Sequence, residues 1–145
     1  MYLLDTNIVS LLDPKRAGEA ASVVEWMREH DSLLFLSTIT LTEIEAGILK
    51  LKRERKEARG NQLIALRDGL IADFKNRLLP LDVEVALALA RLAQAIRPKV
   101  IERSDLIIAA TAQVHGLTVL TRNIRHFEPA GVRVVDPARS LPREK

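Results

Sequence analysis

The sequence predicts a three-layer α/β/α domain with a central, mainly parallel sheet, and three observations predict it. Short apolar runs of strand length alternate with amphipathic stretches of helix length along the whole chain. Successive strand candidates are separated by helical stretches, so their connections are crossovers, which join parallel strands and cover both faces of a sheet. Acidic residues stand where apolar runs begin or end, positions that become the carboxyl edge of such a sheet, where its ligands collect.

Tyr2-Leu3-Leu4 is a short buried strand ending at Asp5, and Thr6 to Leu12 reads as a first helix stopped by Asp13-Pro14. Gly18 to His30 gives the next helix, with Ala21, Val24, Trp26 and Met27 on its inner side. Leu33 to Ser37 is a second strand. Thr40 starts a long helix that runs into the charged tract Lys50 to Arg59, where Glu54 and Glu57 are spaced for helical ion pairs, and Gly60-Asn61 is expected to end it. Gln62 to Arg77 is helical, with Leu63, Leu66, Leu70, Ile71 and Phe74 recurring at three to four residues. Leu78 to Leu81 is a brief strand in which Pro80 marks an edge or an end. Asp82 caps a helix from Val83 to Ile96 that is apolar round most of its circumference, as befits a helix between layers or at a subunit contact. After the loop Arg97-Pro98-Lys99, a helix from Asp105 to His115 is stopped by Gly116; Leu117 to Leu120 and Gly131 to Val135 are the last strands.

Composition narrows the function. With 145 residues and 48% hydrophobic content the chain suits one domain, residues 1–137, followed by a polar tail over 138–145. Zero cysteines exclude thiolate metal sites and a Cys nucleophile and agree with a reducing cytoplasm. No basic leader or membrane-length apolar run is visible, so a soluble, cytoplasmic protein is expected. The net charge of +3 permits a nucleic-acid partner, while an aromatic fraction of 3% argues against recognition of single strands by stacked bases.

The chemistry is carried by Asp5, Glu43 and Asp105, far apart in sequence yet each beside a run expected to be buried. Converging acids repel one another, and a hard cation such as Mg²⁺ or Mn²⁺ relieves the repulsion through carboxylate oxygens and water. The expected reaction is metal-dependent phosphoryl transfer. Thr6, Asn7, Thr121 and Asn123 are neutral groups suited to orienting carboxylates or holding waters, and Arg122 and Arg125 are candidate phosphate contacts. Each acid taken alone has a plainer reading: Asp5 and Asp105 as helix N-caps, Glu43 as a solvated helix carboxylate. His30 and His115 sit at helix ends; His126 is the exception to watch, although a surface-loop role is its plainer reading.

Four segments in this order carry a specific resemblance: Leu4-Asp5-Thr6-Asn7, Ser37 to Gly47, Ser104 to Ala112, and Gly116 to Asn123 followed by Phe127. With them the chain resembles the PIN-domain ribonucleases, and among these the VapC-type toxins of type II toxin–antitoxin systems. The resemblance implies an Mg²⁺- or Mn²⁺-dependent endoribonuclease, a homodimer, and neutralisation by a cognate antitoxin through which alone operator DNA is reached. It implies Asp5, Glu43 and Asp105 as metal ligands, with Glu43 preferred to Glu45. Many members carry another acid where this chain has Asn123 and a further one where it has His126. An aspartyl-phosphate enzyme would want a second Asp where Asn7 stands, and a receiver domain an acidic pair that is absent. A non-catalytic PIN-like module acting with an antitoxin on operator DNA is the alternative.

Overall fold

In the computed structural model, which describes residues 1–97 and 101–143, five strands form one parallel sheet in the order β3-β2-β1-β4-β5. They are β1 (Tyr2–Leu4), β2 (Leu34–Ser37), β3 (Leu78–Leu79), β4 (Thr118–Leu120) and β5 (Val134–Val135). The helices are α1 (Thr6–Val9), α2 (Ala21–Glu29), α3 (Thr38–Arg53), α4 (Glu57–Phe74), α5 (Val83–Ala95) and α6 (Arg103–His115). Among the described residues no helix is long and apolar enough to cross a membrane.

The order of the strands locates the site before any side chain is considered. From β1 the chain moves outward through β2 to β3, then returns to lay β4 on the other flank of β1. The winding reverses between β1 and β4, and that reversal opens a crevice at the carboxyl edge. Leu4 lies opposite both Leu36 and Leu120, so the central strands end level and Asp5, Ser37 and Thr121 leave the sheet together.

Alternation along the strands divides the core into two layers. Leu3 and Val119 point to one face and pack with Val85, Ala88, Leu92, Ile108 and Phe127. Leu4 and Leu120 point to the other and pack with Ile8, Val23, Trp26, Met27, Leu70 and Phe74. Leu3, Leu4, Val119 and Leu120 are all 0% exposed; a leucine so placed contributes about 1.5–3 kcal/mol relative to solvent. The sheet is therefore covered on both faces, as the alternating sequence predicts.

Local chemistry sets several boundaries. The Ser37 hydroxyl accepts the N–H of Ile39 at 3.2 Å, starting α3 at Thr38 and not at Thr40. Asp82 does cap α5, accepting the Val85 N–H at 3.0 Å. Gly116 ends α6 with φ +64°, in the left-handed region glycine reaches without a Cβ penalty. The first helix is α-helical only to Val9 and continues as a 3-10 turn through Leu12. In α2 the inner positions are Val23, Trp26 and Met27; Ala21 lies on the exposed side. The last strand is confined to Val134–Val135, and the expected loop at Pro98-Lys99 lies outside the described residues.

The expected break at Gly60-Asn61 is wrong. The chain turns at Glu54 to Lys56, where Arg55 takes φ 56°, and α4 then runs unbroken through Gly60. Gly60 is buried because α4 packs back on α3: a Cβ there would lie 3.8 Å from the Leu51 Cβ. A small residue at a helix crossing and a helix-ending glycine look alike in a single sequence. The helical Glu54 and Glu57 pairing fails with it, and Glu54 instead meets Lys56 at 3.3 Å within the turn.

Asp13 ties the first crossover to α4. Its carboxylate caps the turn at the Lys15 N–H (3.1 Å) and takes both guanidinium nitrogens of Arg59, one at 2.7 Å. The Arg59 pairing holds the Asp13 carboxyl below its ordinary value. Removing the arginine leaves a buried carboxylate without its partner, a loss of about 1–3 kcal/mol. Arg59→Ala should lower the unfolding free energy at neutral pH by that amount, and with it the denaturant midpoint. Because the Asp13 value is depressed, the difference between wild type and variant should be full above the ordinary carboxylate range and vanish as pH falls through the depressed value. Urea titrations at neutral and acidic pH check both parts; equal midpoints at neutral pH would dismiss the tether.

Candidate active site

Asp5 follows β1 in extended conformation, and its two oxygens have separate tasks. Oδ1 accepts the N–H of Thr6 at 2.8 Å, which caps α1, and Oδ2 accepts the Thr121 hydroxyl at 2.7 Å. The cap reading and the site reading of Asp5 thus coexist. Thr121, just after β4, is 0% exposed and fully used: besides donating to Asp5 it accepts the Asn123 N–H at 2.9 Å and the Asn7 amide at 3.4 Å. The Asn7 side-chain Oδ1 in turn accepts the Arg122 backbone N–H at 3.2 Å. Thr121 therefore fixes Asp5, α1 and the loop after β4 as one unit.

Glu43 reaches the same edge from α3. Its Oε1 accepts the Thr6 hydroxyl at 2.8 Å. Thr6 also lies 3.2 Å from the buried Thr40 hydroxyl, and with the Thr6 proton directed to Glu43, Thr40 is the donor in that contact. Glu45, two residues on, points round the helix to Arg67 at 2.7 Å. Asp105 is the third residue of α6, whose N-cap position is Glu102, so the N-cap reading of Asp105 fails. It is 8% exposed and meets His126 Nδ1 at 3.1 Å through Oδ2.

Electrostatics couple the acids. Burial raises the Asp5 carboxyl, against the opposing hydrogen bonds from Thr121 and the Thr6 N–H. Burial also raises Asp105, the Asp5 charge raises it further, and His126 works against both. Asp5 and Asp105, both partly desolvated, therefore lie close enough for their charges to repel each other. Glu43 joins them through the Thr6 hydroxyl. Among the described residues, no three or more His, Asp or Glu side chains are grouped so as to hold a metal ion by themselves.

The structure adds two residues to those singled out from sequence. His126, read as a loop residue, contacts Asp105, and Thr40 supports Thr6 from beneath. The sequence signal for His126 is its position, where the resemblance implies an acid. Of the candidate phosphate contacts, Arg122 is paired to Glu19 at 3.0 Å, while Arg125 lines a basin beside the crevice.

Comparison with known proteins places this geometry. The PIN domain family matches residues 2–132. The plasmid stability protein StbB of Pseudomonas syringae pv. tomato is 37% identical over 94% of this chain and 98% of its own length. Toxin FitB of Neisseria gonorrhoeae is 36% identical over the same shares of each chain. VapC ribonuclease Y4jK of Sinorhizobium fredii is 35% identical, over 94% of this chain and 97% of its own. A solved structure of FitAB bound to the IR36 DNA fragment superposes with a TM-score of 0.80 at 31% identity and covers 100% of both chains. With four matching segments, a parallel sheet reversed between β1 and β4, and relatives matched over nearly their full length, the chain belongs to the PIN-domain family.

Proposed function

We propose that this protein is a divalent-metal-dependent endoribonuclease, the VapC-type toxin of a type II toxin–antitoxin system acting in the cytoplasm. The observation that carries the reading is the closeness of Asp5 and Asp105, two carboxyls that burial raises, with the Asp5 charge raising Asp105 further. Relatives named VapC ribonuclease and toxin FitB support the substrate and the role.

The residues fit Mg²⁺ or Mn²⁺. These are hard ions that take oxygen donors, and Mg²⁺ in particular uses one or two carboxylates together with waters and substrate phosphate. Asp5 and Asp105 would hold the ion, and Glu43 would add a third carboxylate on the open side. A bound cation supplies activation of water and neutralisation of charge developing on the phosphate. The protein supplies orientation: Thr121 turns Oδ2 of Asp5, Thr6 turns Oε1 of Glu43, and Asn7 and Asn123 complete a neutral frame that leaves the acids as the charged groups. Asn123 offers an amide oxygen to water but neither charge nor basicity.

The partner reading follows from a similar argument. FitAB is a complex solved on DNA, and we propose a cognate antitoxin for this chain, with operator DNA reached only through it. A homodimer is proposed through α5, where Val83 and Leu87, one helical turn apart, are 75% and 55% exposed beside Leu81 at 48%. Asn123 favours one competing account, in which the chain binds its antitoxin without cutting RNA.

Two experiments test the catalytic reading. Purified protein incubated with RNA and Mg²⁺ or Mn²⁺ should cleave it, chelation should stop cleavage, and Asp5→Asn or Asp105→Asn should each cost at least about a hundredfold. Metal-independent cutting, or full activity in both variants, would discard the mechanism; no cleavage together with no metal binding would favour the binding module.

The second experiment uses pH. Raised carboxyls keep their protons to higher pH than ordinary acids, and a cation must displace those protons. Calorimetric Mn²⁺ affinity should therefore be full above the raised values and decline as pH falls through them, before ordinary carboxylates protonate. Ionisation of the crowded pair also destabilises the metal-free fold as pH rises, so Asp105→Asn without metal should melt at a higher temperature than wild type at neutral pH. A lower melting temperature in that variant would contradict the repulsion.

A further inference from the structure

The carboxyl edge carries a second concavity beside the acidic crevice. It encloses about 290 Å³, and its wall includes Arg122, Arg125 and Arg139 with Asn123 and His126, together with two carboxylates, Glu128 and Asp136. His126 is the shared partition: it lines the basin and meets Asp105 at 3.1 Å on the other side.

Two hydrogen-bonded turns build the basin. Arg125 sits on the 3-10 turn Ile124–His126, anchored by Phe127, which is 0% exposed. Arg139 sits on the turn after β5, where the buried Asp136 accepts the Ala138 N–H at 3.0 Å and its carbonyl accepts the N–H groups of Arg139 and Ser140, both at 3.1 Å. The arginines differ in commitment. Arg122 is held by Glu19. Arg139 is only loosely paired, its Nε 3.5 Å from Asp136 and its side chain 81% exposed. Arg125 is exposed and has no ion pair among the described residues.

We propose that this basin is a subsite for an RNA backbone phosphate adjoining the one that is cut, gripped by Arg125 and Arg139. The inference rests on the ribonuclease reading. A crevice of carboxylates repels a polyanion, so the flanking backbone needs cations close by to be held over it. Guanidinium groups suit that task because their planar donors match phosphate oxygens in pairs. Arg139 comes from the segment after the last strand, which gives that segment a part in substrate binding.

The test compares wild type with Arg125→Ala, Arg139→Ala and Arg133→Ala. Arg133 lies at the amino edge of the sheet, its guanidinium on the Gly116 carbonyl at 3.4 Å, and so reports general loss of positive charge. With a fluorescein-labelled RNA hairpin and Mn²⁺, each basin variant should raise KM about three- to tenfold, more than it lowers kcat. For binding of the same hairpin to Asp5→Asn protein, the dependence of log K on log salt should become shallower by about 0.7–0.9 for each basin arginine removed. Values in Arg125→Ala and Arg139→Ala that match Arg133→Ala would overturn the subsite while wild-type cleavage stands. A wild type that cuts no RNA would overturn the ribonuclease reading instead, and the salt slopes would still decide the basin.

Discussion

The hydrogen bond from the Thr121 hydroxyl to Asp5 joins the two strands between which the sheet reverses its winding, and the site depends on it. Any open parallel sheet leaves a crevice at such a reversal. What makes this one chemically useful is that a fully buried hydroxyl fixes the direction of a carboxylate that burial would otherwise push toward its neutral form. The same threonine oxygen accepts the Asn123 backbone and the Asn7 amide. A valine at this position would keep the shape and lose all three contacts, leaving Asp5 free to turn and the loop after β4 untied.

Crowding acids is a cost that the rest of the fold absorbs. Asp105 is destabilised first by burial and then by the charge of Asp5. Opposing that are two core layers with Leu3, Leu4, Val119 and Leu120 at their centre, each excluded from solvent. Asp13 shows the contrasting solution in the same chain. There a buried carboxylate is matched with a guanidinium, its proton affinity falls, and the contact serves stability. The lowered Asp13 and the raised Asp5 and Asp105 thus separate a structural acid from acids crowded against one another.

The parallel three-layer architecture was legible because alternation of apolar runs and helical stretches is a property of sequence, and a parallel sheet is what crossovers permit. Asp82 as a cap was legible for the same local reason. The turn at Glu54 to Lys56 was not. It places the non-glycine Arg55 at positive φ, and the glycine that suggested a break, five positions further on, serves a helix contact. The acids were found as separate residues beside buried runs, with Glu43 chosen over Glu45 on the resemblance alone, whereas their mutual placement and the contact of His126 with Asp105 arise from packing between elements distant in sequence. A histidine in a polar loop has no local pattern that distinguishes a partner of Asp105 from a solvated side chain.

Charge distribution around the crevice gives the last step. The groups that orient the acids are hydroxyls and amides, so they add no charge. Where more acids would deepen the repulsion, this chain places Asn123 and His126, and the imidazole opposes the upward shift of Asp105. The arginines stand beyond that partition, on Arg125 and Arg139, and not inside it. A guanidinium within hydrogen-bond reach of Asp5 would neutralise the pair as Arg59 neutralises Asp13, and would remove the pull on a cation. Keeping the positive groups one side chain away leaves the carboxylates of Asp5 and Asp105 without a guanidinium partner, as the proposed cation and the proposed phosphate subsite both require.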